Sequence, residues 1–139
     1  MLYAGLLTLW YIYLTVRVVM ARRKYRVPFG VSDQHPDLVR AVRAHGNFQE
    51  YTPLFLILLY LEESTAHTEW ACYFLGALFL AGRLAHSYSI LVAEPEGIAA
   101  GKGVGYTLRF RFYAMLHTFF PLGILAMMLL VQWCLNKLV

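Results

Sequence analysis

The chain has 139 residues, of which 60% are hydrophobic, 16% aromatic and 14% charged, with a formal net charge of +4. Soluble globular chains run at about 45–50% apolar and about 25% charged, and a fold this small buries only about two thirds of its chain surface. The composition therefore excludes a soluble domain and a disordered chain, and a cysteine content of Cys72 and Cys134 alone excludes a disulfide scaffold.

Four segments account for the apolar excess. Leu2 to Val19 is apolar but for threonines and Arg17, and a basic flank follows it. It has no basic residue ahead of it, is long enough to span, and lacks a small-residue cleavage site, so it reads as a membrane helix and not a cleavable signal peptide. The next connection carries Pro28, Gly30 and Pro36 and is expected to be irregular. Pro53 to Leu61 is apolar and extends an amphipathic stretch that begins near Pro36, so a second span must carry polar residues into a bundle. Trp70 to Leu91 is apolar apart from Arg83 and His86, and Phe112 to Leu135 apart from His117, Gln132 and small polar residues. The glycines at 97, 101, 103 and 105 predict a mobile loop from Ala93 to Tyr106. The expected fold is an all-α integral membrane protein. It is a four-transmembrane-helix bundle in one domain, residues 1–139, with helices over about 2–25, 36–64, 68–93 and 106–137.

Lys and Arg give the orientation. Arg22, Arg23, Lys24, Arg26, Arg40 and Arg43 follow the first helix, and Lys102, Arg109 and Arg111 precede the fourth. The connection from Glu62 to Glu69 has acids and no base. The positive-inside rule then places loops 1–2 and 3–4 in the cytoplasm and both termini outside. The positive charge is thereby accounted for by topology, without a nucleic-acid partner.

Ionisable groups at membrane depth are costly and mark candidate functional sites. On a helix, Arg40, Arg43, Asn47 and Glu50 recur at spacings of three and four and share a face, while His45 points away from it. Arg83 and His86 share a face of the third helix, and Arg109 and Arg111 open the fourth. A structural reading pairs Glu50 with Arg43 or Arg83 and lets Asn47 bridge helices. The whole set exceeds what such bridging needs and suits a pocket for a zwitterionic or anionic ligand, because arginine forks bind carboxylates. No metal-ligand spacing is present, and Cys72 and Cys134 read as packing residues. His117 reads as an interhelical hydrogen-bond partner, and His35 and His67 as solvated. Trp10, Tyr11 and Tyr13 read as lipid- or bundle-facing packing, and Gly101-Lys102-Gly103-Val104-Gly105 lacks the strand–helix context of a phosphate loop.

The run Val42-Arg43-Ala44-His45-Gly46-Asn47-Phe48-Gln49-Glu50-Tyr51-Thr52-Pro53 resembles the signature of the MAPEG family, the membrane-associated proteins of eicosanoid and glutathione metabolism. Ala21-Arg22-Arg23-Lys24-Tyr25-Arg26-Val27 and Gly82-Arg83-Leu84-Ala85-His86 are similar to two further family motifs, the latter to that of short bacterial members. The resemblance implies a homotrimer with glutathione bound between neighbouring subunits near the cytoplasmic side. Carried over by position, Arg22, Arg43, His45, Asn47, Glu50 and Tyr51 would contact glutathione, with Arg83 and His86 from helix 3. The family's catalytic arginine matches Arg111, with Arg109 as the second candidate, and its task would be to stabilise the glutathione thiolate. One departure is Ile90, where family enzymes often place tyrosine; another is a longer loop 3–4.

The function so implied is a membrane-bound glutathione transferase of the detoxification type. The thiolate would attack hydrophobic electrophiles or lipid hydroperoxides that arrive from the bilayer, with glutathione as cosubstrate and no metal. The alternatives are a non-catalytic lipid-binding member of the same fold and a structural subunit or small transporter with a buried ion-pair network. The bacterial-type motifs suggest a bacterial inner membrane, with the endoplasmic reticulum as the other candidate.

Overall fold

The computed structural model describes residues 1–31, 33–65 and 69–138; His67 lies outside the described residues. In chain order the elements are α1 (Leu2–Tyr25), α2 (Pro36–Thr65), α3 (Glu69–Tyr88), a π-helical turn (Ser89–Ala93), α4 (Glu94–Ala99) and α5 (Val104–Leu138). Helices satisfy every backbone donor and acceptor within one segment, which a chain in hydrocarbon requires. Leu2–Tyr25, Glu69–Ala99 and Leu108–Lys137 are long and apolar enough to cross a membrane. Four spans are expected from the sequence, but α2, with its charged first half, is not among these three.

The basic last turn of α1 complements the negative end of its dipole. Arg26 then adopts a left-handed conformation (φ 54°), and the Val27 amide donates to the Arg22 carbonyl at 3.1 Å, which closes the helix end. The Arg22 guanidinium donates onward to the carbonyls of Val27, Pro28 and Gly30 and so shapes the connection to α2.

α3 packs most extensively on α5, and α1 on α2. The core runs between the helices through Leu7, Leu14, Phe48, Phe55, Leu75, Phe79 and Leu125. The Phe55 and Phe79 rings stack there with centroids 3.7 Å apart. Only Tyr3, Leu7 and Leu14 of α1 are buried, whereas Leu9, Met20, Phe112, Met127 and Leu130 point outward. So large an apolar exterior requires lipid around it. Trp10 and Tyr11 face the bundle and use their polar tips, Trp10 donating to Ser87 Oγ and Tyr11 accepting from Gln49. Tyr13 faces out beside Arg17. At the end of the bundle away from the basic segments, Gln132 of α5 donates to Glu62 and accepts from Thr65.

Three expectations need correction. The segment from Ala93 to Tyr106 is not an open loop. The α3 helix passes through the π-turn, where the Glu94 amide reaches back to the Ser89 carbonyl, into α4. Only residues 100–103 separate α4 from α5, with Gly101 at φ 68° making the turn. Pro95 follows directly on the π-turn, where the i→i−4 ladder is already interrupted. His117, expected as an interhelical partner, is exposed, and its Nδ1 meets the Tyr113 carbonyl of its own helix at 2.7 Å. His35 is stacked on Tyr25 with centroids 4.2 Å apart, so it is not simply solvated.

Gly82 sets the spacing of α3 and α5. A Cβ there would lie 3.0 Å from the His117 carbonyl carbon and 3.1 Å from the Ala114 oxygen, both backbone atoms that cannot swing aside. Gly82→Ala is expected to cost about 1–3 kcal/mol in thermal unfolding of the detergent-solubilised protein. Gly123→Ala, where the added Cβ meets open space, is expected to cost nothing; equal behaviour of the two variants would refute the close approach.

Candidate functional site

The start of α2, the end of α3 and the start of α5 meet at the basic end of the bundle. They enclose a cavity of about 350 Å³ lined by Val42, Arg43, Gly46, Asn47, Glu50, His86, Ile90 and Arg111. That volume lies within the usual range for small-molecule sites, about 300–1,000 Å³. The α2 residues fall at i, i+1, i+4, i+5 and i+8 and so make a single wall. His86, buried one turn before Ile90, and Arg111, half-buried in the first turns of α5, face them. Arg43 and Glu50 are exposed at the mouth.

Behind this wall Arg83 is fully buried, at 1% exposure. Its guanidinium donates to Asn47 Oδ1 at 2.8 Å and also to Thr118 Oγ1, and it approaches Met115 Sδ at 3.4 Å. The rings of Tyr51 and Phe79 stand 5.3 and 5.7 Å from the guanidinium carbon. No carboxylate is among these contacts. Dipoles and aromatic faces carry the charge instead, and Nε has no hydrogen-bond partner. Where the structural reading offered Arg83 or Arg43 as a partner for Glu50, Arg83 is hydrogen-bonded to Asn47. The interhelical bridge expected of Asn47 is present, and the same residue faces the cavity.

Arg40 leaves the face predicted for it. It pairs with Asp37 at 3.3 Å in a separate groove, because three residues before Arg43 the helix has already turned toward α1. Tyr51 packs against Arg83 and, edge-on, against Phe119. His45 lies against α1, stacked on Tyr11 and hydrogen-bonded to Thr15 at 3.1 Å. Arg22 is engaged with the α1–α2 connection, and Arg109 is exposed outside the cavity. Within one chain the cavity therefore gathers Arg43, Asn47, Glu50, His86 and Arg111, backed by Arg83 and Tyr51, and leaves out Arg22, His45 and Arg109.

Sequence reasoning missed Glu94. Its carboxylate stands 3.3 Å from Arg111, and both side chains are half-buried. A π-turn adds one residue to the helical repeat and so rotates everything after it relative to α-helical spacing. That rotation brings Glu94 round to Arg111. The one signal available was the unbroken apolar run through Ile90, Leu91 and Val92, which argues against a loop starting at Ala93.

The MAPEG family model matches residues 1–131. The chain belongs to the MAPEG family. Two MAPEG relatives are bacterial: it is 37% identical over 87 residues to inner membrane protein YecN of Escherichia coli K12, and equally to YecN of Escherichia coli O6:H1 strain CFT073. Each match covers 63% of this chain and 66% of the relative, so the chain spans just under two thirds of the length of these proteins. It is also 36% identical over 72 residues to leukotriene C4 synthase of Bos taurus, covering 52% of this chain and 47% of that enzyme. No solved structure matches the chain. Like other MAPEG members, the protein is an all-α membrane bundle.

Proposed function

We propose that this MAPEG protein is a membrane-bound glutathione transferase whose site is the cavity between α2, α3 and α5. The observation that carries the reading is the convergence of Arg43, Asn47, Glu50, His86 and Arg111 on one cavity at the basic end. Glutathione is a zwitterion with two carboxylates, an ammonium and a thiol. Arg43 at the mouth suits a carboxylate, Glu50 beside it suits the ammonium, and the Asn47 amide suits a peptide group. Arg111 is the cation for the sulfur. An unperturbed thiol, with a pKa of about 8.5, is about 3% ionised at neutral pH. A desolvated arginine that lowers it by about two units makes most of it thiolate. The thiolate then attacks an electrophilic carbon, forming the C–S bond as the leaving group departs with its electron pair. With a lipid hydroperoxide it attacks the terminal oxygen and breaks the O–O bond; the lipid alkoxide takes a proton and leaves as the alcohol, and a second glutathione displaces water from the resulting sulfenic acid to give the disulfide.

The homotrimer belongs to this proposal. Arg22 and His45 stand away from the cavity of their own chain, as residues serving a neighbouring subunit's site would. The site opens toward the cytoplasm, where the basic connections lie and glutathione is plentiful, and the membrane is a bacterial inner membrane. The test is a glutathione titration of the detergent-purified protein, followed by the ultraviolet absorbance of the thiolate. A saturable signal is expected; none at millimolar glutathione would refute the transferase reading.

Glu94 is the resting counter-ion of Arg111. Its negative charge opposes ionisation of a nearby sulfur, so it sets how far Arg111 can lower the thiol's pKa. Glu94→Gln keeps an acceptor in place and removes the charge. The pH at which half of the bound thiol ionises is expected to fall by about one unit, and an unchanged midpoint would show that this carboxylate does not act on the sulfur.

A further inference from the structure

A second polar recess lies at the same end of the bundle, apart from the glutathione cavity. It is a groove of about 340 Å³ between α1 and α2, floored by Leu91 of the π-turn. Its α1 wall is the stripe Arg17, Met20, Ala21 and Lys24, at i, i+3, i+4 and i+7. Cations stand at both ends of this stripe and apolar side chains between them. Along the helix the two cations are about 10 Å apart. The α2 wall supplies Arg40 and Ala41.

Asp37 organises the groove. It accepts from the Tyr25 hydroxyl at 3.0 Å, and pairs with Arg40 at 3.3 Å and Lys24 at 3.8 Å. One carboxylate thus gathers two cations and a phenol at this groove. Among the described residues Arg17 is in no ion pair; it donates to the Tyr13 hydroxyl at 3.2 Å. Three cations therefore face one anion, and the excess is positive. The groove also sits where α1 ends its apolar run. A ligand here meets cations at the ends of the groove and Met20, Ala21, Ala41 and Leu91 between them.

We infer that this groove binds the headgroup of an anionic phospholipid. The phosphodiester would sit among Arg17, Lys24 and Arg40, and the first acyl carbons would lie on the apolar floor. Basic pockets between membrane helices hold lipid headgroups on this principle. A soluble anion has the charge but leaves the apolar half of the groove without a partner. A zwitterionic lipid has the chains but brings an ammonium to a site with excess positive charge. Arg17 is exposed on α1 beside the Tyr13 hydroxyl, and a bound phosphodiester at the membrane surface gives it a counter-ion.

The test is native mass spectrometry of the full-length protein released from vesicles of phosphatidylglycerol and phosphatidylcholine in equal amounts. Preferential retention of phosphatidylglycerol is expected. Arg17→Gln, Arg40→Gln and Lys24→Gln are each expected to reduce it about fivefold. Arg23→Gln removes the same charge from the same end of the bundle but outside the groove, and is expected to leave retention unchanged. Lys24 is well exposed, so its variant reads binding without a folding defect. An equal loss in Arg23→Gln would overturn the site in favour of diffuse surface charge. Equal retention of phosphatidylcholine would overturn the anionic selectivity. Displacement by inorganic phosphate at the lipid's own concentration would overturn the lipid assignment in favour of a free anion.

Discussion

Arg111→Ala is expected to abolish the glutathione thiolate signal while leaving the protein folded. Arg111 is half-buried on the wall of the cavity and paired only loosely, at 3.3 Å, to Glu94. Its other donors remain available for a sulfur. Loss of a two-unit depression of the thiol pKa returns the ionised fraction at neutral pH to a few per cent, a drop of about 25-fold. Glutathione affinity should fall much less, because Arg43, Asn47 and Glu50 remain. Arg111→Lys keeps the charge as a compact ammonium without the planar fork and is expected to be intermediate. Arg109→Ala is the internal comparison. Arg109 is exposed outside the cavity, so its loss should leave the thiolate signal intact. Loss of the signal in Arg109→Ala with retention in Arg111→Ala would reverse the assignment.

The second large effect concerns stability and runs against intuition. Asn47→Ala is expected to destabilise the protein more than Arg83→Met. Arg83 is buried without a carboxylate, and Asn47 Oδ1 at 2.8 Å is its best-formed acceptor besides Thr118. Removing the Asn47 side chain leaves the buried guanidinium, whose Nε is already unpartnered, with Thr118 and the more distant Asn47 carbonyl at 3.4 Å, at a cost of about 1.5–3 kcal/mol. Removing the arginine itself deletes the charge along with its desolvation penalty. Methionine then fills part of the space beside Tyr51 and Phe79, and Thr118 keeps its bond to the Ala114 carbonyl at 3.1 Å. Unfolding of the single and double variants in detergent completes the cycle. The double variant is expected to match Arg83→Met. A fully additive cycle would mean that the two side chains do not depend on each other.

Both predictions rest on residues that periodicity singled out, but the sequence specified their partners unevenly. Hydrophobic runs separated by charged connections fix the number of long helices and the need for lipid, because only an apolar solvent accommodates that much outward leucine and phenylalanine. The three-and-four spacing of Arg43, Asn47 and Glu50 fixes their common face, because side-chain direction along a helix is local geometry. The resemblance in the same segment supplied the family. What lay beyond reach is how each helix is rotated and shifted against the next. Arg40 looks like a member of the stripe until α1 presents Lys24 and Tyr25 beside Asp37. Arg83 could have met Glu50 or Asn47; the depth at which α3 crosses α2 selects Asn47. Glu94 reaches Arg111 only because a π-turn interrupts the 3.6-residue repeat, and no pattern of apolar and polar residues announces that extra residue. The sequence by itself determined which faces exist and what surrounds them. Which faces meet was decided by the tertiary structure, since that depends on close packing between segments far apart in the chain, such as the approach of α3 and α5 at Gly82.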